Sequence, residues 1–174
     1  AENSVQVKNA GILKLHNAKF VRNSDNKIVI TSRSAEVTVF DELGREKERY
    51  KLPYGSIMTT DDNAAIVSGQ IVANWDPHSH PIIVERGAKV SYSDVDDTNT
   101  EVQQDDLTGL TRTVVKDLSK ANAKEPKLIL EMDDGALQEI RLPSFTTIEI
   151  TDGQNVKAGA VLARIPQESS KTRD

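Results

Sequence analysis

Residues 52–77 read LPYGSIMTTDDNAAIVSGQIVANWDP, and residues 142–167 read LPSFTTIEITDGQNVKAGAVLARIPQ. Leu52-Pro53 returns as Leu142-Pro143, an offset of 90 residues. At the same offset Ile66, Gly69, Val72 and Ala73 return as Val156, Gly159, Leu162 and Ala163. A hairpin-like segment precedes each Leu-Pro: EVTVFDELGREKERYK before the first and KLILEMDDGALQEIR before the second. Agreement in turn residues, spacing and apolar phase over about 40 residues is the mark of one structural unit present twice.

The end of each copy has a steric logic. In DGQNVKAGAVLA (152–163), Gly153 turns the chain out of one strand and Val156 points into the core. Gly159 then makes a second turn and Val161 opens the next strand. The first copy, DDNAAIVSGQIVA, keeps the second glycine as Gly69 but has Asn63 or Ala64 where the first would fall. Such a corner belongs to small barrel-like sandwiches and by itself says nothing of chemistry.

Outward from these corners, short runs alternate apolar with polar residues and are rich in β-branched types. KIVITS (27–32), EVTVFD (36–41), RTVVKD (112–117), KLILEMD (127–133), ALQEIRL (136–142) and TTIEIT (146–151) all fit strands. REKERYKL (45–52) has helical propensity, but it follows the Gly44 turn and is expected to be the return arm of a hairpin, an exposed arm or guarded edge. The expected class is all-β with little helix. Two modules are expected, over residues 5–80 and 81–166, each of roughly 85 residues and large enough for its own core. The second copy carries a polar insertion at 94–110, a loop is expected over 117–126, and residues 167–174 form a polar tail.

Composition narrows the function. The 174 residues include no Cys, which removes disulfides, zinc fingers, thiol catalysis and iron–sulfur ligation together. Lys plus Arg number 22 against 27 Asp plus Glu, a net charge of −5. That balance argues against a dedicated nucleic-acid-binding domain, which needs clustered cations. The single Trp, three Tyr and three Phe form no stacking platform among basic residues. No apolar run reaches the ~18 residues of a membrane span, and AENSVQVKN has no signal-peptide pattern. The lack of an initiator Met is expected of a chain cut from a longer one.

The stretch NWDPHSHP (74–81) is the strongest lure for chemistry, with Trp75, Asp76 and two His in alternate positions. A metal site needs three or four ligands, and only His16 remains beyond His78 and His80. Asp76-Pro77 and His80-Pro81 restrict the backbone to extended forms. The expected role is a semi-rigid connector, with Trp75, Asp76 and Pro77 at the module junction. DVDD (94–97) lacks the Gly and distal Glu of a hand-type Ca²⁺ loop and reads as solvated. No nucleophile elbow marks a Ser–His–Asp triad. Biotinyl and lipoyl carrier domains share the glycine corner, but Met58 and Met132 have no Lys beside them, and SKA (119–121) sits in a loop. A free-standing binding or carrier module is the alternative reading.

LPYGSIMTTDD, VSGQIVANWDPHSHPIIVE, DDLTGL and GAVLARIPQES, on a chain running from SVQVKN to LARIPQES, resemble the large insertion within the trigger loop of the β′ subunit of bacterial DNA-directed RNA polymerase. The resemblance covers nearly the whole chain. It implies two sandwich-barrel hybrid modules, with Pro53, Gly69, Pro143, Gly153 and Gly159 as structural turn residues and the 167–174 tail returning to the trigger loop. It further implies a role in trigger-loop folding, pausing, elongation, transcript cleavage and access of secondary-channel factors. The implied partners are the other polymerase subunits, the rest of β′ and secondary-channel factors; the implied location is the bacterial cytoplasm. The isolated chain is expected to be a monomer without strong nucleic-acid binding. The family's NADFDGD metal motif does not occur here, so no catalytic, metal or cofactor residue is carried over; Mg²⁺ and Zn²⁺ would be bound elsewhere in the parent enzyme.

Overall fold

A computed structural model describes residues 2–120 and 124–167. It divides into two compact units, one ending at Pro77 and the other beginning at His78.

The first unit holds β1 (Ser4–Gln6), β2 (Gly11–His16), β3 (Phe20–Arg22), β4 (Ile28–Ile30), β5 (Glu36–Phe40), β6 (Glu46–Lys51), β7 (Ile57–Met58), β8 (Ala65–Ile66) and β9 (Ile71–Asn74). They form a five-stranded sheet in the order β1-β9-β7-β4-β3 and a four-stranded sheet in the order β6-β5-β2-β8. Side chains from both sheets, among them Val5, Leu13, Ile30, Val37, Met58 and Val72, make one core. The second unit repeats the pattern with β10 (Ser79–Ile83), β11 (Ala88–Ser93), β12 (Thr100–Gln104), β13 (Thr111–Val115), β14 (Lys127–Met132), β15 (Leu137–Arg141), β16 (Thr147–Ile148), β17 (Gln154–Val156) and β18 (Val161–Pro166). Its sheets run β10-β18-β16-β13-β12 and β15-β14-β11-β17, the same order element by element. A separate cluster including Val90, Val115, Leu128, Leu130 and Leu162 fills it. All pairings among the described strands are antiparallel. The fold is all-β, of the sandwich-barrel type, and its helical content among the described residues is one 3₁₀ turn, Leu118–Lys120.

Hydrogen bonds extend the repeat beyond what the sequence displays. Gly69 N–H donates to Val7 O and Gly159 N–H to Val84 O, both at 2.8 Å. Asn63 N–H donates to Leu13 O, and Gly153 N–H to Val90 O. Val7, Leu13 and Leu15 therefore answer to Val84, Val90 and Tyr92 at an offset of 77, not 90. The second unit accumulates its extra residues between β11 and β14, which hides the first half of the repeat from a single-offset comparison.

Two expectations require correction. The polar stretch 94–110 is not mere insertion: Thr100–Gln104 is a strand paired with β13. DVDD is a solvated loop, as expected, with Asp94, Asp96 and Asp97 exposed, and the buried Asn99 orders it. The Asn99 side-chain amide donates to Asp94 O and Lys124 O, and its oxygen accepts the Asp96 N–H. Finally, NWDPHSHP is not a connector throughout, since Ser79–Ile83 pairs with β18 in register His80↔Ile165. Pro81 is compatible with this because β10 lies at a sheet edge, where a missing donor faces no partner strand. Of the tail, 168–174 lies outside the described residues, as does Ala121 of SKA.

Candidate interaction surfaces

The turn residues singled out in the sequence sit where backbone geometry is most demanding. Leu52 N–H donates to Ala35 O and Ser56 N–H to Pro53 O, closing the Leu-Pro turn; Leu142 donates to Pro126 O and Thr146 to Pro143 O in the second copy. Gly69, Gly153 and Gly159 have φ of 87°, 83° and 85°, a region that costs other residues energy. In the first unit Asn63 takes the place of Gly153 with φ 66°, since Asn tolerates this conformation better than most. Beside each corner a carboxylate accepts a backbone N–H: Asp62 from Leu15 at 2.9 Å and Asp152 from Tyr92 at 2.8 Å.

Trp75 is half-buried and packs against the first unit's core, with its N–H donating to Asn3 O. Asp76 and Pro77 follow it, and the chain then enters the second unit at His78, whose carbonyl accepts the Gln167 N–H. His16 is engaged elsewhere: its Nε2 lies 2.7 Å from Oγ1 of the buried Thr38. Among the described residues, no three His, Asp or Glu side chains gather as a metal site would require. Met58 and Met132 are core residues, and Lys120 ends the 3₁₀ turn where a carrier lysine would need a hairpin tip.

The most elaborate polar cluster is also structural. The Glu48 carboxylate accepts the Lys8 N–H at 3.0 Å, the Asn9 N–H at 2.7 Å, the Asn9 side-chain amide at 2.8 Å and the Tyr50 hydroxyl at 2.5 Å. It thus brackets the turn between β1 and β2. Burial pushes the Glu48 carboxyl up, but the hydrogen bonds from Tyr50, Lys8 and Asn9 outweigh it and hold the group below its ordinary value. Tyr50 is pushed up to about 12, chiefly by its hydrogen bond to Glu48. Nearby, Arg49 bridges Glu46 and Glu36 at 2.7 Å each. These are partly exposed ion pairs of little individual weight.

The exposed apolar side chains set the two units apart. The first unit closes its β3–β4 hairpin with a tight turn in which Asn23 Oδ1 accepts the N–H groups of Asp25 and Lys27. The second unit extends the matching β12–β13 hairpin well past its core. Glu101–Gln104 and residues 105–112 are solvent-exposed apart from the half-buried Asp105, and at the tip Leu107 is 96% and Leu110 70% exposed. These residues were not marked from sequence as a surface feature. The available signal was two leucines inside a polar turn, DDLTGL, with no counterpart in the first copy.

Fold and surface together define a class: a duplicated all-β module in which no three His, Asp or Glu of the described residues gather as metal ligands and whose distinctive feature is a projecting hairpin. No protein-family model matches the chain. Along its full length, however, it is similar to DNA-directed RNA polymerase subunit beta′. Identity is 75% to that of Pseudoalteromonas atlantica and 68% to that of Pseudoalteromonas translucida, in each case over 100% of this chain and 12% of the relative. It is 50% to that of Colwellia psychrerythraea, over 13% of the relative. The chain is thus related from end to end to one part of the β′ subunit, and it spans only about an eighth of the subunits it matches.

Proposed function

We propose that this chain is an insertion in the trigger loop of the β′ subunit of a bacterial RNA polymerase, where it modulates transcription without contributing catalytic groups. The full-length match to about an eighth of β′ carries this reading. The trigger-loop placement comes from the resemblance of LPYGSIMTTDD, DDLTGL and GAVLARIPQES to that insertion. Its partners are then the rest of β′, the other polymerase subunits and factors entering the secondary channel. Its place is the cytoplasm, and the metal ions of the parent enzyme lie outside this chain.

The mechanism is a population shift. A loop that alternates between folded and open states is biased by any contact its insertion makes in only one of them. A differential contact of ~1.4 kcal/mol changes the ratio of states about tenfold. Two units with separate cores suit this role because they stay folded while the loop that bears them rearranges. Trp75, Asp76 and Pro77 form the joint through which the chain passes from one unit to the next.

The test is single-round transcription on a template with a defined pause, comparing intact polymerase with one in which a short linker replaces residues 1–174. Nucleotide addition should persist, while pause lifetime, intrinsic transcript cleavage and the response to secondary-channel factors should change. Identical behaviour in all three would refute the regulatory role.

A further inference from the structure

We infer that the β12–β13 hairpin is a docking finger, whose leucine tip seats on an apolar, basic-rimmed surface elsewhere in the same β′ polypeptide. The inference rests on the proposed function only in placing the chain within the polymerase.

The first unit serves as an internal control. It builds the same sheet with a hairpin that runs only from Phe20 to Ile30, whereas the second unit spends Thr100 to Val115 on the equivalent pair. The fold therefore does not need the extension. A strand that packs on a core alternates buried and exposed side chains, but Glu101, Val102, Gln103 and Gln104 are all exposed, and so are Thr111 and Arg112. Both faces of the ribbon stand in solvent. Its only large apolar groups are Val102, 70% exposed, and the tip residues Leu107 and Leu110.

The tip is nonetheless ordered by its own hydrogen bonds. Asp105 N–H donates to Leu110 O and Gly109 N–H to Asp105 O, both at 2.8 Å. The Asp105 carboxylate accepts the Leu107 N–H at 2.8 Å, and the Thr108 hydroxyl accepts that of Leu110. A pre-organised tip loses little freedom on binding. Arg112 is paired with Asp105 at 3.6 Å, while the neighbouring Asp106 is exposed. The surroundings of the leucines are thus acidic, which calls for basic residues around the seat.

Size selects the occupant. Two leucines and a valine bury too little area for a lasting complex between free molecules. Within one polypeptide the effective concentration reaches the millimolar range, and a contact this small becomes populated. Nearly nine-tenths of the matching β′ subunit lies outside this chain, so the partner surface need not come from another molecule.

The test uses assembled core polymerase with p-benzoylphenylalanine replacing Leu107, Leu110 or, as control, Leu137, which is 69% exposed on the other sheet of the same unit. After irradiation, positions 107 and 110 should crosslink to one contiguous region of β′ outside residues 1–174, and position 137 should not. With the photoprobe moved to Val102, a Leu107→Ser/Leu110→Ser variant should lower that crosslink about tenfold, the loss expected for two small apolar contacts. Crosslinks only to other subunits or to a free factor, equal yields from 137, or no effect of the double variant would overturn the inference. Altered pausing on deletion with no tip crosslink would leave the regulatory role standing and remove the finger. A tip crosslink with unaltered pausing would do the reverse.

Discussion

Phe145 stands in the second unit where Gly55 stands in the first, and both hold left-handed backbone, with φ of 73° and 90°. Each N–H donates at 2.8 Å to the sheet, Phe145 to Val115 O and Gly55 to Ile30 O. The turn demands the conformation, and a bulky residue adopts it at a cost. Next to it the buried Thr146 hydroxyl has no partner among the described residues, whereas the equivalent Ser56 hydroxyl donates to Pro53 O at 2.7 Å.

Phe145→Gly should therefore be more stable than Phe145→Ala by about 1 kcal/mol, because only glycine relieves the left-handed strain. Urea unfolding of the two variants provides the comparison. Equal stabilities would mean that Phe145 is not strained.

Glu48 and Tyr50 should give the first unit opposite sensitivities at the two ends of the pH scale. Glu48 is held below its ordinary value of 4.5. Its contribution is therefore present above that value and is lost as pH falls through the lower folded value. Tyr50, pushed from 10.0 to about 12, contributes below pH 10 and loses that contribution as pH rises towards about 12. Unfolding followed against pH should show Glu48→Gln flattening the acid limb and Tyr50→Phe flattening the alkaline one. Glu48→Ala should also cost about 1 kcal/mol at neutral pH, by orphaning the part-buried Asn9 N–H.

Gly11 is required for a close approach. A Cβ there would lie 2.2 Å from Phe40 O, beside the register shift at Val39/Phe40. Backbone cannot yield as a side-chain tip can, so Gly11→Ala should destabilise the first unit by about 3 kcal/mol. The second unit already has Ala88 at the matching pairing. Ala88→Gly should accordingly have a much smaller effect, and a reversed order in thermal melts would contradict this packing.

Trp75, the only tryptophan, packs on the first core, so its fluorescence should report that unit alone. Leu13→Ala, in the first core, should shift the fluorescence transition by about 3 kcal/mol. Leu130→Ala, in the second core, should leave it in place while shifting a separate transition seen by circular dichroism. A fluorescence shift of equal size from Leu130→Ala would mean that the units unfold as one.

What the sequence determined by itself was whatever local chemistry dictates. Alternating β-branched runs and Asp-Gly turns define an all-β chain, because period-two burial and left-handed turns restrict which residues serve. The duplication was legible from the hairpin segment at 36–51 that precedes Leu52-Pro53 through to Ala73, where the chain length between turns is conserved in both copies. It was illegible before that, because the offset shifts from 77 to 90 and Val7 and Val84 share only a hydrogen-bond partner type. Tertiary structure alone decided that Thr100–Gln104 is a strand, that Pro81 lies within a sheet edge and that Glu48 brackets residues 8 and 9. It alone decided too that Phe145 is strained and that Leu107 and Leu110 are carried clear of the core. Each of these depends on contacts between residues far apart in the chain. Neither propensity nor apolar period records such pairings, because both are sums over neighbours in sequence rather than in space.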